Sequence, residues 1–506
     1  MQPDTVFYHA RVLTMADCPA QAEALALRGG RVMAVGSNRK VLSLAGPQTK
    51  CYDLGGRTIL PGFTDAHVHL VAYGLSLMRQ ADLTGCTSLE ELLDHLRQHQ
   101  REGRLAGGVW LLGRGFDQER LRERRFPTRT DLDRAFPSTP VLLTRICGHA
   151  CVANSRALEL AGVDSEDGLL REGQTAPLWA AVPPPTLEEA QEGARRAVQE
   201  ALAAGLTAAH VLVDSAVQVR TVLSLRAAGE WPLRTLLLLP FGWLEALQKL
   251  GLTAGFGDEF VRLGPLKVFA DGSLGARTAA LEEDYSDAPG ERGQLLHDLE
   301  ELRALAREAA AAGFSVAVHA IGDRANRVAI EALRALEAPA GPFPLRLEHA
   351  SLLSEELVNR LAEANLLLVV QPQFIKSDFW TRQRVGPVRF RWAYPLKTLL
   401  QQGVRLAGGS DCPVERLSPL EGISRAVTRD GQMPEENLTV EEALRLFTVG
   451  GAEAEGAEEW RGRLGPGYVA DFVVLAADPR QVPPERLPEL SVESVWIAGQ
   501  EWWAAP

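Results

Sequence analysis

Between about residue 60 and residue 450, short apolar runs alternate with stretches rich in Ala, Leu, Arg and Glu, and this alternation constrains the fold more than any other feature of the chain. Apolar runs without polar interruption, separated by helix-forming segments, are the pattern of parallel strands buried on both faces and joined by crossover helices. Eight runs are present: Thr58–Leu60 continuing to His69, Leu206–Val213, Leu233–Leu239, Val261–Phe269, Phe314–His319, Leu345–His349, Leu366–Val370, and Val404–Ala407 running on to Asp411. Eight strand and helix units fit an α/β protein built on a (β/α)8, TIM-like barrel. Residues 187–202 and 299–310 carry apolar residues at three- and four-residue steps among good helix formers, as crossover helices require; Gly193 is the one weak point.

The two ends of the chain read differently. Residues 1–59 form short alternating segments broken by Gly turns (Thr5–Tyr8, Arg11–Thr14, Arg31–Val35), and residues 456–506 repeat that character (Asp471–Leu475, Val492–Ile497). One small β-sandwich built from both termini, 1–59 with 456–506, is the expectation, enclosing a metal-binding barrel over 60–455. The interval between the first two runs is roughly 135 residues, far more than a crossover needs. We therefore expect an insertion over about 75–200, rising after the first strand at the carboxyl end of the barrel and acting as a lid or substrate-shaping subdomain. The stretch Val182-Pro-Pro-Pro185 reads as a stiff linker beside it.

With strands assigned, the chemically able side chains fall at strand ends. His67 and His69, one residue apart at the end of the first run, point to the same face and make half of a metal site. His319, His349 and Asp411 end the fifth, sixth and eighth runs, on the face where barrel enzymes gather their reactive groups. Lys267 lies within the fourth run, between Leu266 and Val268, in a chain that uses Lys for only six of its 53 basic residues. A lysine there either turns outward or has a lowered pKa, which permits reaction with carbon dioxide to a carbamate that bridges two metals; an arginine stays protonated and has no such chemistry.

A net charge of −12 argues against nucleic acid or an anionic membrane surface as partner. Neither a signal peptide nor a membrane-spanning run is read, and the six cysteines, at 18, 51, 86, 147, 151 and 412, show no disulfide framework, so a reducing, cytoplasmic location is expected. The trio Cys147, His149 and Cys151 lacks a fourth ligand for a structural zinc.

Taken together, Pro61–His69, Lys267–Thr278, Val318–Asp323, Glu348–Ala350, Gly409–Val414 and Gly462–Asp471 resemble the amidohydrolase superfamily of metal-dependent hydrolases. Within it they look like the amidohydrolase family 3 branch, which includes N-substituted formamide deformylase-like enzymes. The resemblance implies that His67, His69 and Asp411 bind one divalent ion, that His319 and His349 bind a second, and that carboxylated Lys267 bridges them. Zinc suits such ligands, and manganese, iron or cobalt are tolerated. A mononuclear site, or an unmodified Lys267, stays open.

The chemistry so implied is hydrolysis of a carbon–nitrogen bond in an amide-like, N-acyl or N-formyl substrate by a metal-bridging hydroxide, with Asp411 as general base. Arg277 is a candidate for gripping a substrate carboxylate, Asp271 for organising its loop, His149 for reaching over the site, and Asp323 for orienting a ligand histidine or capping the next helix. Cys412 reads as a packing residue. Two other classes are weighed: a mononuclear zinc deaminase on the same barrel, which leaves Lys267 without a bridging role, and a non-catalytic scaffold or regulatory protein, in which lost ligands are expected. A homo-oligomer stays open.

Overall fold

In the computed structural model, which describes residues 2–17, 19–336 and 341–506, all eight apolar runs contribute strands to one parallel sheet. Cys18 lies outside the described residues. The strands are β1 (Phe63–Val68), β2 (Leu206–Leu212), β3 (Arg234–Pro240), β4 (Val261–Phe269), β5 (Val316–Ala320), β6 (Arg346–His349), β7 (Leu367–Val370) and β8 (Arg405–Gly408), hydrogen-bonded in sequence order. The sheet curls until β8 returns to β1, where the Asp411 N–H donates to the His67 carbonyl at 2.7 Å and the His69 N–H donates to the Cys412 carbonyl at 2.9 Å. The result is the near-closed (β/α)8 barrel expected from the pattern. Side chains from both the strands and the surrounding helices form one large apolar core.

The helices begin where their capping residues say they should. Thr186 and Glu189 form a capping box at the start of α1 (Leu187–Ala203), and Asp298 and Glu301 do the same at α2 (Leu299–Ala311). Gly193, a weak helix former, has a packing reason. A Cβ there would lie 2.6 Å from the backbone of Gly74, on the helix Leu70–Arg79 that follows β1. The two glycines let the helices touch backbone to backbone, and any side chain would force them apart.

The first run does not hold as one strand. Thr58–Pro61 pairs with Arg11–Val12 and with Phe472–Leu475 in a separate six-stranded sheet, and only after Gly62 does the chain enter the barrel as β1. Apolar continuity across Leu60-Pro61 hides this change of sheet. The six-stranded sheet takes strands from both ends of the chain, and a four-stranded sheet from residues 5–53 faces it. Phe7 of the smaller sheet packs edge-on against Phe472 and Trp496 of the larger, with ring centroids 5.1 and 4.9 Å away.

Between the first barrel helix and α1 lies a five-stranded sheet made of Gln80–Asp82, Leu111–Phe116, Val141–Arg145, Ala150–Ala153 and Leu169–Arg171. Adjacent residues divide between its two faces: Leu111 and Leu143 enter one apolar cluster, Leu112 and Leu142 the other. No described helix of the chain is long and apolar enough to cross a membrane.

Candidate metal centre

Five of the six residues expected to bind metal lie at strand ends on one side of the barrel, with Lys267 just inside. His67, His69 and Asp411 form a three-donor cluster whose ligand atoms all lie within 4.8 Å of one another. The His67 Nε2 and His69 Nε2 atoms are 3.5 and 3.3 Å from the same oxygen of Asp411. His349 stands between His67 and His319, its ring centroid 4.8 Å from one and 4.6 Å from the other. The approach of β8 to β1 depends on Gly409, where a Cβ would meet the His67 backbone nitrogen at 2.7 Å.

Each buried histidine has one ring nitrogen already engaged, which determines the other's role. The Nδ1 of His67 bonds the Glu348 carboxylate, the Nδ1 of His349 bonds the Gln371 side-chain oxygen at 2.8 Å, and the Nε2 of His319 bonds the Gly272 carbonyl at 3.0 Å. An acceptor on one nitrogen places the proton there and leaves the other nitrogen's lone pair free. The free atoms are therefore Nε2 of His67, Nε2 of His349 and Nδ1 of His319. Burial, with the Lys267 charge nearby, holds all three imidazoles well below the ordinary histidine pKa, in the neutral form that binds metals.

Lys267 is 7 % exposed, and its Nζ has no hydrogen-bond partner among the described residues. Burial lowers its pKa to about 8, although Glu348 and Asp411 pull the other way. A buried ammonium without a partner is costly, and this favours the neutral amine. Burial works to raise the Asp411 carboxyl, but His67 and His69 outweigh it and hold the group ionised. The donor set fits a divalent ion: His67, His69 and Asp411 would hold it, with the free nitrogens of His319 and His349 and the amine of Lys267 nearby.

Backbone strain gathers here too. His349 and Asp411 have φ of 72° and 55°, left-handed values that non-glycine residues rarely adopt. Both turn a side chain inward just as its strand ends.

The weaker candidates separate. Asp271 is fully buried and accepts backbone N–H groups from Ala280, Ile321 and Gly322 at 2.8–3.0 Å, so it ties together the loops after β4 and β5. Asp323 reaches no ligand histidine: it accepts from the N–H groups of Glu282 and Arg324, both at 3.0 Å, at the start of helix Asp323–Arg334. Arg277 does not line the cavity; its guanidinium pairs instead with the buried Asp287 carboxylate at 2.9 Å. His149 does descend from the insertion, its ring 5.4 Å from that of His319. Burial opposes its charge, but the Glu172 carboxylate 2.9 Å away raises its pKa to about 9. Cys151 is buried in the insertion's own core while Cys147 and His149 line the cavity, so the trio does not converge. Cys412 is 1 % exposed and packs in the barrel core.

Several contributors escaped the sequence reading. Glu348 is ionised and fully buried, bonded to His67 and to Arg346 at 2.9 Å, while Asp65 accepts from the N–H groups of His67 and Ser410. Both lie inside motifs already recognised, beside a ligand histidine, and that adjacency was the available signal. A second donor group, Cys86, Glu91 and His95, lies in the insertion, but Glu91 already bonds Thr87 and His95 the Asp82 carbonyl.

Comparison with known proteins agrees with this geometry. A model of the family described as "Amidohydrolase family" matches residues 50–502. The amidohydrolase candidate YtcJ of Bacillus subtilis (strain 168) is 34% identical, with 98% of each chain covered. The N-substituted formamide deformylase of Arthrobacter pascens is 27% identical over 98% of this chain and 97% of its own. The crystal structure of an uncharacterized metal-dependent hydrolase from Pyrococcus horikoshii OT3 superposes with a TM-score of 0.80 at 31% identity, covering 95% of this chain and 99% of that one.

Proposed function

The chain belongs to the amidohydrolase family, and from that premise we propose that it hydrolyses the carbon–nitrogen bond of an N-acyl or N-formyl amide. The observation that carries this reading is the buried, partnerless Nζ of Lys267 in a barrel whose strand ends also carry four histidines and an aspartate. Divalent ions bound there, zinc by preference, would supply the Lewis acidity that polarises a carbonyl and acidifies water.

The chain's own residues do the rest. Asp411, held ionised, takes the proton of the attacking water and delivers it to the departing nitrogen. Water's oxygen bonds the carbonyl carbon, the C–N bond breaks, and the products are a carboxylic acid and an amine. His149, kept protonated by Glu172, lines the cavity beside His319 and is suited to donate to the oxygen that gains charge during attack. Glu348 and Gln371 keep His67 and His349 in one tautomer.

The test is metal analysis of wild type and Lys267→Ala, joined to a screen of N-formyl, N-acetyl and longer N-acyl compounds. Two ions per chain and turnover of an amide are expected; one ion with release of ammonia from an aminated heterocycle would move the assignment to a deaminase. Because carbon dioxide adds only to the neutral amine, reconstitution at a fixed concentration of dissolved carbon dioxide should speed up as pH rises toward about 8 and level off above it.

A further inference from the structure

Barrels of this kind usually fill their interior with branched apolar side chains, yet here one part of it is charged. His210 of β2, Arg346 and Glu348 of β6, and Glu455 just after the helix Val449–Glu453 are each at most 3 % exposed. Arg346 joins them. Its Nε donates to one Glu348 oxygen at 2.9 Å, and one terminal nitrogen donates to the other oxygen at 3.2 Å and to the Ala66 carbonyl at 2.7 Å. The second terminal nitrogen meets Nδ1 of His210 at 2.9 Å. One planar guanidinium thus spans β6, β1 and β2.

The direction of each bond follows from the groups themselves. A guanidinium only donates, so Nδ1 of His210 accepts and the ring proton is on Nε2. That Nε2 has no hydrogen-bond partner among the described residues; the Glu455 carboxylate stands 3.8 Å away. Glu455 lies between Arg461 and Arg262, its oxygens 2.5 and 3.1 Å from their nitrogens, and Arg461 also donates to the Thr64 hydroxyl of β1 at 3.0 Å. At the other end, Glu348 accepts from Nδ1 of His67, which leaves Nε2 of that ring free. A continuous line of buried polar groups therefore runs from Glu455 through His210, Arg346 and Glu348 to His67.

Buried ion pairs of this sort add little net stability over an apolar layer of the same volume, so what the line supplies is geometry. Arg346 bears on His67 twice, once through Glu348 and once through Ala66, the residue before it in the chain. His210 is the acceptor that keeps the guanidinium turned toward β2. We propose that Arg346, locked in place by His210, is a positioning residue for the metal centre, holding Glu348 and the β1 backbone in the arrangement that aims Nε2 of His67 at the ion. This rests on His67 being a metal ligand and is independent of the substrate.

The experiment loads the full chain with cobalt(II) and follows its visible absorption and its removal by a competing chelator in wild type, His210→Leu, His210→Asn and Arg346→Lys. His210→Leu takes away the acceptor and should weaken cobalt binding by about tenfold or more and shift the absorption bands. His210→Asn, whose amide oxygen can stand in for Nδ1, should return both to the wild-type values. Arg346→Lys keeps the charge without the fork and should behave like His210→Leu. Wild-type affinity and spectrum in His210→Leu, or an equal loss in His210→Asn, overturn the positioning role and leave the metal site standing. If His210→Leu does not fold, Arg346→Lys decides by the same two readings. Failure of both to fold makes the network a structural support only and overturns the proposal, and a wild type that binds no cobalt overturns the metal reading together with it.

Discussion

The two walls of the cavity are built on opposite principles. On the barrel wall, His67, His319 and His349 are only 1–3 % exposed, and each is fixed by a hydrogen bond from its second ring nitrogen to a group that is itself buried or part of the backbone. On the facing wall, supplied by the insertion and by residues 374–391, buried charges such as Asp117, Arg145 and Arg384 stand beside exposed arginines, Arg120, Arg124 and Arg382. Where one element of that wall is held, it is by ion pairs: Arg384 joins Glu119 of the insertion and Asp287 of the loop after β4, and Asp287 also takes Arg277. Groups that share a metal must be rigid to within a few tenths of an ångström, whereas groups that select substrates can be exchanged without disturbing the barrel.

Substitutions can break that contrast, and the largest effect is expected on the barrel wall. Lys267→Ala should lose at least one bound metal per chain and lower kcat/KM by about 10^3 or more, read by elemental analysis and steady-state kinetics. Retention of both metals with full activity would remove the bridge from the account. Next, Glu348→Gln weakens the acceptor that holds His67, and metal affinity should fall by about 10- to 100-fold in a competition titration with a chelator, with the fold intact by circular dichroism. An unchanged affinity would mean that the barrel wall does not depend on its buried partners.

On the facing wall, Arg384→Met should speed amide hydrogen exchange in residues 374–391 by lowering the local opening free energy by about 1–3 kcal/mol, the guanidinium being buried but one of its partners partly solvated. Spread of the effect into the barrel strands would merge the two walls into one unit. The smallest effect concerns His149. Its pKa is raised from 6.5 to about 9 by Glu172, so the pair's contribution to stability is complete below pH 6.5 and is lost as pH rises through 9. In metal-free protein, melting temperature should therefore decline over that window, and the decline should be shallower in Glu172→Gln; equal slopes would leave the pair without energetic weight.

The sequence was most legible where burial leaves a continuous apolar trace. All eight barrel strands appear as such runs, because a parallel strand covered on both faces has no polar side to interrupt it. The same continuity misled at Thr58–His69, where one unbroken run serves two sheets. Ligand candidates were legible because histidines at strand ends are few in this chain and fall at one end of the barrel. Arg277 shows the limit: its motif was visible, but its partner, Asp287, is chosen by the fold of a loop that has no periodicity. Glu348 shows another: strand alternation sets it on the face opposite a neighbouring residue, and only the left-handed turn at His349 brings both side chains to one site.

By itself, the sequence determined the class of fold and the identities of the metal-binding candidates, since periodicity and residue type are local properties that survive in one dimension. Which nitrogen of each histidine is free, that Lys267 is buried without a partner among the described residues, and that Arg277 is taken by Asp287 were decided only by the tertiary structure. Those are relations between strands and loops far apart in the chain, and pairwise proximity has no signature in a single sequence.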